Sequence, residues 1–80
     1  MRPRATRTLY VGGFGAVVTA EVLHRLFARH GEVQELRLVD RGEASFAYVT
    51  FIDETDAITA RAQLDGAQIA GRALRVERAE

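Results

Sequence analysis

The sequence predicts an α+β sandwich in the order βαββαβ, with four antiparallel strands backed by two helices. Three observations predict it. Leu9-Tyr10-Val11-Gly12-Gly13-Phe14 and Phe46-Ala47-Tyr48-Val49-Thr50-Phe51 are short runs rich in strand-forming residues, each with alternate side chains bound for opposite faces. Two other stretches, near residues 20–30 and beyond Asp53, space their apolar residues as helices do. Turn signals separate these segments at Gly12-Gly13, Asp40-Arg41-Gly42-Glu43 and Asp65-Gly66.

Taken in order, residues 1–7 hold three arginines and the one proline without periodicity, and read as a flexible basic arm before a domain spanning 8–80. The first strand runs from about Thr8 to Val11, and Phe14 tucks under the sheet. A helix from about Ala20 to His30 has Thr19 as its cap, Glu21 at its positive end and Gly31 as a left-handed stop. Its apolar stripe is Val22, Leu23, Leu26 and Phe27. The second strand, Val33 to Val39, turns Leu36 and Leu38 inward, and a tight hairpin at 40–43 leads to the third. Asp53 opens the second helix, with Asp56 as a capping-box analogue. Its stripe is Ala57, Ala60, Arg61 and Leu64, the arginine laying its stem along the core. The last strand, about Ala73 to Glu77, sends Leu74 and Val76 inward.

Helices on one face and an open antiparallel sheet on the other describe the ferredoxin-like split-βαβ sandwich. Right-handed crossovers make the first and third strands central neighbours. Tyr10, Phe46 and Tyr48 then meet in the middle of the open face. Large rings left in water on a flat sheet imply a stacking platform or a partner interface.

At these residues the chain resembles the RNA recognition motif family over nearly all its length. Leu9 to Phe14 is similar to the family's RNP2 hexamer. Ala44 to Phe51 is similar to its RNP1 octamer, whose usual form is Lys/Arg-Gly-Phe/Tyr-Gly/Ala-Phe-Val-x-Phe/Tyr. Leu64-Asp65-Gly66, Ile69, Gly71-Arg72 and Leu74-Arg75-Val76-Glu77 match the pattern from second helix to last strand. Leu9–Gly13 and Val22-Leu23-His24 are also similar to the motif attached to some nuclear cyclophilins. The resemblance implies a non-catalytic module that stacks unpaired bases of single-stranded RNA on Tyr10, Phe46 and Tyr48. It implies further RNA contacts from Arg37, Arg75, Arg41, Arg7 and Glu77, with Arg2 and Arg4 in the arm. RNA processing, protein partners within an RNA-processing complex, a monomer, and residence in the nucleus or cytoplasm, without secretion, complete the expectation.

Three departures weaken the phosphate grip. The first RNP1 position is Ala44 where a basic residue is usual, the second is Ser45 where glycine is usual, and the loop before them is short. Glu43, Glu77 and Glu80 add negative charge nearby. Eleven arginines balance eleven acidic residues, so the net charge is zero. That balance argues against strong non-specific attraction to phosphate. The alternative is a protein-interaction module that uses the sheet or the Arg61-bearing helix face.

Other chemistries find little support. The chain has no cysteine, and His24 and His30, six apart, do not share a helical face, so no metal site or cofactor is expected. Gly12-Gly13-Phe14-Gly15 lacks the spacing of a dinucleotide loop. Asp53, Glu54 and Asp56 suit a helix start. Acylphosphatases share the sandwich but need a catalytic asparagine, and this chain has none. No apolar run is long enough to span a bilayer.

Overall fold

The computed structural model describes residues 4–79; Arg2 and Glu80 lie outside them. Arg4–Arg7 forms a 3₁₀ turn that leads into β1 (Thr8–Gly12), α1 (Ala20–Ala28), β2 (Val33–Val39), β3 (Phe46–Phe51), α2 (Glu54–Leu64), β4 (Gln68–Ile69), β5 (Arg72–Ala73) and β6 (Arg75–Arg78). The main sheet is antiparallel in the order β2-β3-β1-β6. Two central strands therefore carry the aromatic runs, as the right-handed crossovers require.

Alternation decides the core. Leu9 and Val11 of β1, Ala47, Val49 and Phe51 of β3, and Leu74 and Val76 bury against Leu23 and Phe27 of α1 and Ala57, Ala60 and Leu64 of α2. Phe14 closes the layer and is fully buried, as expected. β2 does not alternate strictly. A bulge at Gln34 sets Val33 opposite Phe51 and Glu35 opposite Thr50. The extra residue lets Val33, Leu36 and Leu38 all pack on the core, where an unbroken alternation would turn Val33 outward.

Thr19 caps α1, its Oγ1 accepting from the Val22 amide at 3.2 Å. Four expectations about the helices need correction. Val22 is 41% exposed, so the inward stripe of α1 is Leu23, Leu26 and Phe27. Gly31 is not a left-handed stop, because α1 ends right-handed at Arg29. Gly31 instead makes room for the second helix, since a β-carbon there would collide with the Asp56 side chain. The capping-box analogy also fails: Asp53 occupies the N-cap of α2 without a side-chain cap bond. Finally, Arg61 is exposed rather than laid along the core, and Ala57, Ala60 and Leu64 supply the buried stripe.

After α2, Asp65 binds the next layer, its Oδ1 accepting from the Val76 amide at 2.9 Å. The β4–β5 hairpin was not foreseen. It turns through Ala70 and Gly71, both at positive φ, as two-residue hairpin turns favour.

Candidate nucleic-acid interface

The open face is built in rows by strand register. Glu35, Thr50 and Thr8 form one row. Arg37, Tyr48, Tyr10 and Glu77 form the next, crossing all four strands. Val39 faces Phe46, and Gly12 faces Arg75, in a third. The middle row is flanked by opposite charges with two tyrosines between them.

Tyr10, Phe46 and Tyr48 make a closed triangle of rings. Tyr10 and Phe46 lie 5.8 Å apart at 31°, and Tyr10 and Tyr48 lie 6.1 Å apart at 66°. Phe46 and Tyr48 lie 5.8 Å apart, nearly perpendicular at 86°. Such tilted and edge contacts suit the ring quadrupoles and hold each side chain in place. Tyr48 is 39% exposed, and the other two are half-buried. The outward faces of β1 and β3, which carry no aliphatic side chain, therefore present pre-set aromatic rings to solvent.

Gly12 completes this arrangement. Residues 10 and 12 share a face of β1, and a β-carbon on Gly12 would come within 2.6 Å of the Tyr10 hydroxyl. The missing side chain lets the Tyr10 ring lie down along the sheet. Beyond ending the strand, Gly12 shapes the platform.

The charges around the rings nearly cancel. Arg75 Nε is 3.2 Å from Glu77 Oε2 with both side chains well exposed. Arg37 is exposed on β2, and Arg41 is exposed in the β2–β3 turn. That turn is stiffened from within by Ser45, the unusual second RNP1 residue. Its buried hydroxyl accepts from the Arg41 amide at 2.8 Å and donates to the Gly42 carbonyl at 2.7 Å. Glu43 is drawn sideways into a 2.5 Å ion pair with Arg72 of the β4–β5 hairpin.

Arg7, expected among the RNA contacts and in a flexible arm, is buried. It is 9% exposed, at the end of the 3₁₀ turn Arg4–Arg7. Its Nη1 donates to the Phe51 carbonyl at 2.9 Å and to Gln34 Oε1 at 2.7 Å. The guanidinium thus satisfies backbone beside the β2 bulge, on the side away from the rings. Tyr10, Phe46, Tyr48, Arg37, Arg75 and Glu77 do share the open face, with Arg41 at its end. Gly12, Glu35, Thr8 and Thr50 were missed, although period-two alternation from Tyr10, Arg37 and Tyr48 could have found all four.

Residues 9–75 match the family model described as RNA recognition motif. The chain is 38% identical over 76 residues to the chloroplastic 28 kDa ribonucleoprotein of Spinacia oleracea, covering 90% of this chain and 33% of that protein. It is 37% identical over 76 residues to the chloroplastic RNA-binding protein CP31B of Arabidopsis thaliana, covering 90% and 26%. It thus spans a third or less of the length of these relatives. Among solved structures it superposes on Sex-lethal RNA recognition domains 1 and 2 of Drosophila melanogaster with a TM-score of 0.86, at 26% identity, covering 92% of this chain and 50% of that one. The extent of the model match and these identities carry one conclusion: this chain belongs to the RNA recognition motif family.

Proposed function

We propose that this chain is a non-catalytic module that binds a short stretch of single-stranded RNA on its open sheet. The observation that carries the reading is the ring triangle of Tyr10, Phe46 and Tyr48 on the two central strands. Unpaired bases have flat apolar faces, and the rings offer matching faces already held in position. Relatives named as an RNA-binding protein and a ribonucleoprotein support it.

Stacking contributes roughly 1–3 kcal/mol per base. Two or three stacked bases, less the ordering of the RNA, suggest micromolar affinity, on the order of −8 kcal/mol. Arg37, Arg41 and Arg75 supply the positive charge toward the backbone, and Glu77 opposes it. The module acts as a monomer within RNA processing, in the nucleus or cytoplasm, with protein partners in the same complex.

The test is a titration with short RNAs followed by backbone amide NMR shifts. Shifts are expected on β1 and β3; still strands at millimolar RNA would refute the reading. Tyr10→Ala with Phe46→Ala should then abolish binding with a small loss of stability, because both rings are partly exposed.

A second reading, docking of a protein on the helix side, has one observation in its favour. Ile58, 54% exposed, and Arg61 flank a cleft of about 170 Å³ with Thr6, Leu9, Ala57 and Arg78. A partner there would shift α2 amides and leave the aromatic strands unchanged.

A further inference from the structure

At one end of the sheet, past Val39, Phe46, Gly12 and Arg75, lie the β2–β3 turn, the β1–α1 loop and the β4–β5 hairpin. An ion pair spans this end: Glu43 of the turn holds Arg72 of the hairpin, Oε1 to Nη2 at 2.5 Å. Resting on the RNA-binding reading above, we propose that Arg72 is a further RNA phosphate contact, and that Glu43 competes with the phosphate for its guanidinium. The carboxylate is a built-in rival of the RNA and limits its affinity.

A carboxylate and a phosphate offer a guanidinium the same thing, charged acceptor oxygens that match its forked donors. Two anions on one guanidinium repel each other, so the two ligands compete for it. The exchange is open, since the two side chains are 51% and 66% exposed and an exposed ion pair contributes little stability. Glu43 directly precedes Ala44, which is exposed and stands where the RNP1 pattern has a basic residue. Arg72 thus carries a cation from β5 to the residue next to that position.

The place of Arg72 is prepared by its neighbours. Gly15 is buried in the β1–α1 loop, and a β-carbon there would lie 2.8 Å from Arg72 Nε and 3.1 Å from its Cζ. Lacking that carbon, the loop leaves the guanidinium room to cross to the turn. Glu43 is the acid that meets it there. Asp40, the turn's other carboxylate, accepts from the Gly42 amide at 3.2 Å within the turn itself, and Glu77 is joined to Arg75. Ser45 holds the turn through its bonds to Arg41 and Gly42, so Glu43 is presented from a stiff support. Such a support keeps the carboxylate at high effective concentration beside Arg72 after a phosphate arrives.

The test titrates wild type, Glu43→Ala, Arg72→Gln and the double variant with a fluorescein-labelled random-sequence RNA octamer, by anisotropy at several salt concentrations. Glu43→Ala is expected to tighten binding about fivefold, the size of one close charge interaction in water. Its slope of log K against log salt should steepen by about 0.7, one further phosphate on a single strand. With Arg72→Gln already in place, the same change should gain about twofold or less, the long-range effect of the charge alone. In NMR spectra of Glu43→Ala, the Arg72 Nε–H signal should shift as RNA is added. Amide spectra check folding, and Glu43→Gln replaces Glu43→Ala if the turn is disturbed. No gain on removing the carboxylate, an equal gain without Arg72, or an Arg72 Nε–H signal that RNA leaves unmoved overturns the competition while RNA binding stands. Failure of the RNA to shift β1 and β3 in every variant instead refutes the RNA-binding reading itself.

Discussion

The ring of Tyr10 lies over the α-carbon of Gly12, so close that a β-carbon on Gly12 would meet the Tyr10 hydroxyl at 2.6 Å and its Cε2 and Cζ at 3.1 Å. The backbone of Gly12 is not at positive φ, so it would accept a side chain. What the glycine supplies is space for a ring. Gly12→Ala should therefore leave the fold intact, because the far end of a side chain can move aside, but lift Tyr10 out of its packing with Phe46. The expected result is a change in melting temperature of a few degrees at most and a loss of RNA affinity of about fivefold or more, the scale of one weakened stacking contact. A melting curve and an anisotropy titration check both halves.

Arg7 is a structural residue in a segment that reads as a basic arm. Arg7→Ala removes the donor to the buried Phe51 carbonyl and the partner of Gln34. Leaving a buried acceptor unsatisfied costs about 1–3 kcal/mol, which urea unfolding would register. RNA affinity measured well below the melting temperature should stay within twofold (roughly the error of such titrations). A large loss of affinity without loss of stability would return Arg7 to the RNA contacts.

Ser45 holds the β2–β3 turn through its own hydroxyl. Substitution by glycine, the residue usual at that RNP1 position, removes both bonds and loosens the chain. Ser45→Gly should destabilise by about 1–2 kcal/mol. Its local signature is faster hydrogen exchange at the Arg41 amide, which donates to that hydroxyl. Unchanged exchange there would show that the turn is held by its backbone bonds alone, Ala44 N to Arg41 O and Ser45 N to Gly42 O.

Salt dependence should be shallow. Arg75 is already paired with Glu77 and Glu43 with Arg72, so among the described side chains of the open face Arg37 and Arg41 are the main cations left for phosphate. Neutralising about two phosphates on a single strand gives a slope near −1.4 in log K against log salt. A slope of −3 or steeper would mean that more arginines reach the RNA than the open face presents.

Much of the site was legible because strands obey a period of two. Tyr10, Phe46 and Tyr48 fall on one face whichever neighbour each strand has, and helix order then sets the two aromatic strands side by side. Arg7 was not legible. Its position before β1 resembles a solvated arm, and its acceptor, the Phe51 carbonyl, lies 44 residues away. Gly31 misled for a similar reason: a glycine after a helix is commonly a left-handed stop, and here the approach of Asp56 from α2 is what requires it. The β4–β5 hairpin escaped notice because its turn uses Ala70-Gly71, without the asparagine or aspartate that marks such turns.

By itself the sequence determined the order of elements, the inward and outward faces of β1 and β3, and the family. These follow from local alternation and from motifs whose spacing is set along the chain. Only the tertiary structure decided that Arg7 is buried, that Ser45 ties its own turn, that a bulge at Gln34 brings Val33 into the core, and that Glu43 pairs with Arg72 of the hairpin. Three of these depend on partners distant in sequence or on a departure from regular alternation, and the Ser45 bonds, to residues three and four positions away, depend on the conformation of the turn itself. Periodicity cannot carry such information, because it describes which face a side chain takes and not what it meets there.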